Sequence, residues 1–299
     1  MKTIVFSCAL LWSSPALADD VNREPDGADH AAEPQGGKFS LLGTECKADP
    51  DTALETTPGS PPLDVDDPGT PGCNGWEINI VTSGEFGKGM DWETPLFDIN
   101  YGVGDNIQLK FEIPYLVNQL GGVTTSGIGR AELGVKYRFY EDSSRDLSVA
   151  IYPQFEFVMP GMADAPGGDG VGTLTKLPVL LSTRVGETSK GNIMITANAG
   201  YNISTEAAME HYVSAAFGVG FPLARNLAVM IEASTEQAFH KNVENVREGY
   251  VKANLGLFGP VTDHLLWFAA LGQSRASFDT DDANHTCVVL GVRVLAGGP

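Results

Sequence analysis

Beyond Asp19 the chain lacks any uninterrupted apolar run of the roughly 18 residues that a membrane-crossing helix needs, which excludes a helical anchor. Basic residues are scarce too: Lys and Arg number 19 against 38 Asp and Glu, a formal net charge of -19. Such acidity argues against nucleic acid and anionic membrane surfaces as partners. No glycine-rich phosphate cradle follows a strand and opens a helix, so Gly167-Gly168-Asp169-Gly170-Val171-Gly172 reads as a loop and no cofactor is expected. Histidines are few. His211, His240 and His285, with Asp279, Asp281 and Asp282, lie near predicted loop ends, where solvated acidic tips account for them better than a metal site. No Ser-His pair stands at an evident cross-strand spacing, which speaks against an outer-membrane lipid hydrolase and against enzymatic activity generally.

What the chain does have begins with Lys2, a short apolar stretch from Thr3 to Trp12, and the small-x-small sequence Ala16-Leu17-Ala18. These predict a secretory signal peptide over residues 1–18 and export across the inner membrane. Residues 19–73 are rich in Asp, Glu, Pro and Gly, as in Pro58-Gly59-Ser60-Pro61-Pro62, and poor in β-branched and aromatic residues. Such a segment buries too little apolar surface to fold alone, so a flexible acidic arm is expected. Cys46 and Cys73 both fall in it, and in an oxidising compartment a disulfide between them is expected, two unrelated thiols being the alternative. Cys287 is then left unpaired in a strand.

From residue 74 to 299 the texture is alternation at period two, which sends successive side chains to opposite faces of a strand. In Ile107-Gln108-Leu109-Lys110-Phe111-Glu112-Ile113 one face is wholly apolar and the other polar. Ala131, Leu133, Val135, Tyr137 and Phe139 repeat the pattern against Arg130, Glu132, Gly134, Lys136 and Arg138. Charges recurring on one face need water or ion-pair partners. Strands are predicted near 75–82, 94–102, 105–117, 128–140, 146–159, 176–186, 192–203, 211–222, 226–237, 249–258, 263–273 and 285–296. Short connections alternate with mostly longer ones, those around Glu85 and Gly121 included, as in bacterial barrels. The predicted fold is all-β: a transmembrane antiparallel up-and-down barrel of about twelve strands behind a disordered arm. Trp76, Trp92, Tyr101, Tyr115, Tyr137, Phe157, Tyr201, Phe221, Phe258 and Trp267 fall near strand ends and suggest an interfacial girdle.

The stretch Asp98-Ile99-Asn100-Tyr101-Gly102-Val103-Gly104-Asp105-Asn106-Ile107-Gln108-Leu109, with Ile113-Pro114-Tyr115, resembles outer-membrane transporters named after the meta-pathway of phenol degradation. Gly127-Ile128-Gly129-Arg130-Ala131-Glu132-Leu133 and Ile151-Tyr152-Pro153-Gln154-Phe155-Glu156-Phe157 are similar to the same family. The resemblance spans Trp76 to Pro160 and implies a barrel that passes small apolar or aromatic molecules. The acidic arm is no part of the family motif, and a gate or plug is one role for it.

If the apolar face meets lipid, the pore-lining set is Glu77, Asp98, Lys110, Glu112, Arg130, Glu132, Lys136, Arg138, Glu156, Arg184, Glu232, Glu236, Lys252 and Arg293. Asn100, Gln154, Asn198 and Asn254 share that face. The two signs are mixed, which favours internal pairing over ion selectivity. Gly134, Gly200, Gly218, Gly220, Gly256 and Gly291 fall inside too and leave space, whereas Tyr152, Met230 and Phe268 narrow it. The expected function is a passive outer-membrane channel, with outer-membrane lipid, a small solute and the barrel-assembly machinery as partners. A closed structural or surface-interaction barrel is the alternative.

Overall fold

The structure, a computed structural model, describes the backbone of residues 38–39, residue 46, and residues 63–159, 172–205, 210–224, 226–240, 247–276 and 284–297. The expected signal peptide over 1–18, most of the expected arm over 19–73, the 167–171 run and Asp279, Asp281 and Asp282 lie outside these residues.

Every described element is a strand. In chain order they are β1 (Lys38–Phe39), β2 (Gly75–Phe86), β3 (Met90–Val103), β4 (Ile107–Leu120), β5 (Val123–Ile128), β6 (Ala131–Asp142), β7 (Leu147–Ile151) and β8 (Gln154–Phe157). The second half comprises β9 (Leu174–Thr188), β10 (Gly191–Ser204), β11 (Tyr212–Ala224), β12 (Leu227–Ala238), β13 (Gly249–Thr262), β14 (Leu265–Ala276) and β15 (His285–Gly297). Each neighbour pair is antiparallel, and β15 returns to β2 from Gly75↔Gly297 to Phe86↔Thr286, closing a 12-stranded barrel.

Two barrel strands are interrupted, which reconciles the element list with twelve staves. β5 and β6 pair successive parts of β4, broken at Gly129-Arg130, where Gly129 N–H donates to the Pro114 carbonyl. β7 and β8 both bridge β6 and β9, broken at Tyr152-Pro153. Pro153 has no N–H to give the ladder, and its carbonyl is met instead by Val135 N–H.

The alternation sets the two faces. Along β12, Ala228, Met230, Glu232 and Ser234 are buried inside, while Ile231 stands 54% exposed outside. Leu255, Leu271 and Leu290 stand outside likewise, as lipid-facing side chains of a barrel do. One set of connections is short: 104–106, 143–146, 189–190, 225–226 and 263–264. At the other end the expectation of longer loops holds only in part. β2 and β3 extend so far that Glu85 pairs Asp91, and β4 and β5 meet at Gly121-Gly122, whose φ values of 60° and 84° suit a tight turn only glycine adopts freely. Both are long hairpins. Among the girdle candidates, Trp76 and Tyr101 pack at 4.7 Å on the short-turn end. Phe258 is a correction: it shares parity with Asn254 and Gly256 and is buried inside, 3% exposed.

Candidate solute path and its plug

The lumen is divided. Along β2 and β12 to β15 the inner side chains Val81, Ala228, Met230, Phe258, Leu266, Phe268, Ala270 and Val289 form one apolar cluster. The inward glycines make room for it: a methyl on Gly291 would meet the Phe268 ring, and one on Gly218 would meet the Met230 methyl. Along β3, β4, β6, β8 and β9 the lining is polar and paired.

That polar side carries most of the predicted lining. Glu132 accepts from Lys110 and Lys176, each at 2.7 Å. Lys110 also meets Glu112 at 2.8 Å, Lys176 meets Glu156 at 3.1 Å, and Arg130 meets Glu156 at 3.0 Å. A second chain of contacts starts at Arg293, which pairs Glu77 at 3.2 Å and donates to Asn79. Asn79 donates to Asp98 at 2.8 Å, Asn100 donates to Asp98, Gln108 donates to Asn100, and Gln108 reaches the Tyr152 hydroxyl at 3.3 Å. Such pairing offsets part of the cost of enclosing charge. Nearer the short turns Arg138 donates to the Asp105 carbonyl and Arg184 meets Asp146 at 3.2 Å. Glu236 lies opposite Tyr250 in the β12–β13 register. Lys176 and Asn79 belong to this lining without having been singled out in the sequence, although Lys176 has the parity of Arg184 and is legible on that ground.

The interior is occupied by the chain itself. Residues 63–72 run through the lumen and leave it beside the short turns, where Thr70 donates to the Asp105 carbonyl and Asn74 N–H to the Gly102 carbonyl. Val65 is buried within the apolar cluster and Leu63 packs against it. The Asp64 carboxylate accepts from Lys252 Nζ at 3.0 Å, Ser234 Oγ at 2.9 Å and Asn254 Nδ2 at 2.8 Å. Asp64 N–H donates to Glu232 Oε2 at 3.3 Å. Asn198 clasps Asp66 by both backbone groups, accepting its N–H at 2.8 Å and donating to its carbonyl at 2.6 Å. Lys136, 4.8 Å from the centre of the Tyr152 ring, donates to the Gly69 carbonyl. Asp66 keeps an exposed surface, yet burial by the enclosing wall pushes its carboxyl up, against the lowering pull of Lys136 and Lys110. Cys73, just past this plug, is joined to Cys46 by a disulfide with Cα atoms 5.4 Å apart.

The pairing register shows one constellation that the sequence left unseen. Ser274 lies directly opposite His285, whose Nδ1 is 3.5 Å from Glu85 Oε2. All three are on the lumen side, whereas hydrolysis of bilayer lipid needs the outer face. No cluster of three His, Cys, Asp or Glu is placed to hold a metal among the described residues.

No family model matches the chain, and no curated protein does. Solved structures match through the fold. The COG4313 outer membrane channel from Pseudomonas putida F1 is 9% identical with a TM-score of 0.61, covering 78% of this chain and 100% of that one. The KdgM porin, 10% identical, has a TM-score of 0.46, and the NanC porin, 9% identical, one of 0.47; each covers 73% of this chain and 98% of its own. The protein therefore has the barrel fold of an outer-membrane channel.

Proposed function

We propose that the protein is an outer-membrane channel for passive passage of small molecules, held shut by residues 63–72 until they are displaced. The observation that carries this reading is the nature of the plug's seat. It consists of side-chain hydrogen bonds, one ion pair and the buried Val65 and Pro68 rather than a covalent or ladder-type union with the wall. Full burial of one valine contributes about 1.5–3 kcal/mol, within reach of a conformational equilibrium. Removal of the plug bares an apolar wall beside a paired polar one, a lining suited to molecules with an apolar or aromatic body. The resemblance to phenol meta-pathway transporters supports the same solute class, and the likeness to the Pseudomonas channel supports placement in the outer membrane.

The competing reading, a permanently closed structural barrel, draws on Phe268, Met230 and Tyr152, which fill the lumen alongside the plug. Planar-bilayer recording separates the two. Wild-type protein is expected to conduct in rare, small events, and Val65→Asp, which sets a charge in the apolar seat, to raise the open fraction about tenfold. Absence of conductance and of solute uptake in liposome swelling, for both proteins, leaves the closed barrel as the answer.

A further inference from the structure

The seat of Asp64 has more specificity than a stopper requires. Three donors from three positions on β12 and β13, Ser234, Lys252 and Asn254, converge on one carboxylate. On its other side stands Glu232, only 2% exposed, which receives the Asp64 N–H on Oε2. Glu232 Oε1 is buried with no hydrogen-bond partner among the described residues. The plug thus satisfies the cationic half of the seat and leaves the anionic half short of donors. A peptide N–H brings one hydrogen to Glu232, whereas an ammonium brings three and a positive charge. Beside both halves lies the apolar pocket that takes Val65.

We propose that this seat is a binding site for zwitterionic amino carboxylates whose ammonium and carboxylate are joined through two carbons, as in a β-amino acid or an N-terminal aspartate, with an apolar group alongside. The ammonium meets Glu232 and the carboxylate meets Lys252, Ser234 and Asn254. Residues 64 and 65 occupy the site as a built-in mimic, and a solute of this chemistry competes with them and opens the path. The inference rests on the reading of the lumen as a solute path and adds its recognition element. Glu85, 3.9 Å from Lys252, and Glu236, on the same inner face two residues beyond Ser234, are further charged groups facing the site among the described residues, and Lys252 lies closer to Asp64 than to Glu85.

The test uses the full-length protein in detergent, with the dipeptide amide Asp-Val-NH2 as probe in titration calorimetry. A tethered segment competes at about millimolar effective concentration, so wild-type protein is expected to bind weakly. Asp64→Ala, which vacates the carboxylate seat without touching the wall, is expected to bind about tenfold more tightly. Adding Lys252→Met to Asp64→Ala is expected to cost about tenfold, Lys252→Arg to retain binding, and N-acetylation of the probe to weaken it about tenfold. Heat-modifiable gel migration reports that each variant keeps its barrel. No binding to Asp64→Ala, or equal binding of the free and acetylated probes to it, overturns the site. Conductance of Asp64→Ala in planar bilayers without probe binding refutes the site and leaves the channel standing, while binding without conductance does the reverse.

Discussion

Glu132 shows how single residues hold the polar half of the lumen. Its two oxygens each accept from a lysine at 2.7 Å, and with 3% exposure it sits at the middle of the ion-pair ladder. Removing one partner of a buried pair strands the charges it neutralised, at a cost of about 3–5 kcal/mol. Glu132→Gln is expected to fall at the lower end, because Glu112 and Glu156 still pair the two lysines. Urea unfolding of the barrel refolded into vesicles measures it, and an unchanged midpoint would show the ladder to be dispensable. On the apolar side, Phe268→Ala is expected to leave a void beside Gly291 and cost about 3–5 kcal/mol, or to admit solute. Unchanged stability together with larger conductance marks the second outcome. At this scale most of the lining was legible, since parity alone puts Glu77, Lys110, Glu132 and Arg293 on one face. Asp64 was not: nothing in an acidic, proline-rich stretch distinguishes the one carboxylate that meets Lys252.

Among elements, the strand alternation and the plug obey different rules. A strand's inward face is written in its own residues, so all twelve staves stand where period two set them, and Tyr152-Pro153 interrupts one where an N–H is missing. Loop lengths were less legible. Whether residues near Glu85 extend a hairpin or form a loop depends on the partner strand, and Asp91 supplies that partner. The plug has no ladder of its own and relies on side chains of the wall. Asn198→Ala is expected to remove both hydrogen bonds to Asp66 and loosen the segment by about 1–3 kcal/mol. Hydrogen exchange resolved to residues 63–70 is the measurement, with about tenfold faster exchange expected there and no change in the strands. Protection equal to the wild type would mean that the contacts of Asp64, Val65, Gly69 and Thr70 hold the plug without Asn198.

For the whole molecule the decisive quantity is which face meets hydrocarbon. Ile231 and Leu255 are direct cross-strand partners on the outer face, each 54% exposed, a display of apolar surface that water disfavours and lipid does not. Ile231→Arg is expected to cost about 2–4 kcal/mol in reversible folding into lipid vesicles if the position lies at the bilayer midplane. A change below a few tenths of a kcal/mol would argue that this face does not meet lipid. The sequence by itself determined the barrel and its strand number, because these follow from a local period of two and a shortage of long apolar runs. Only the tertiary structure decided which stretch of the arm enters the lumen and where it sits, and that Ser274 stands across from His285. Those depend on cross-strand register and on a distant segment finding its seat. Contacts such as Asp64 to Lys252, 188 residues apart, leave no periodic trace in the chain.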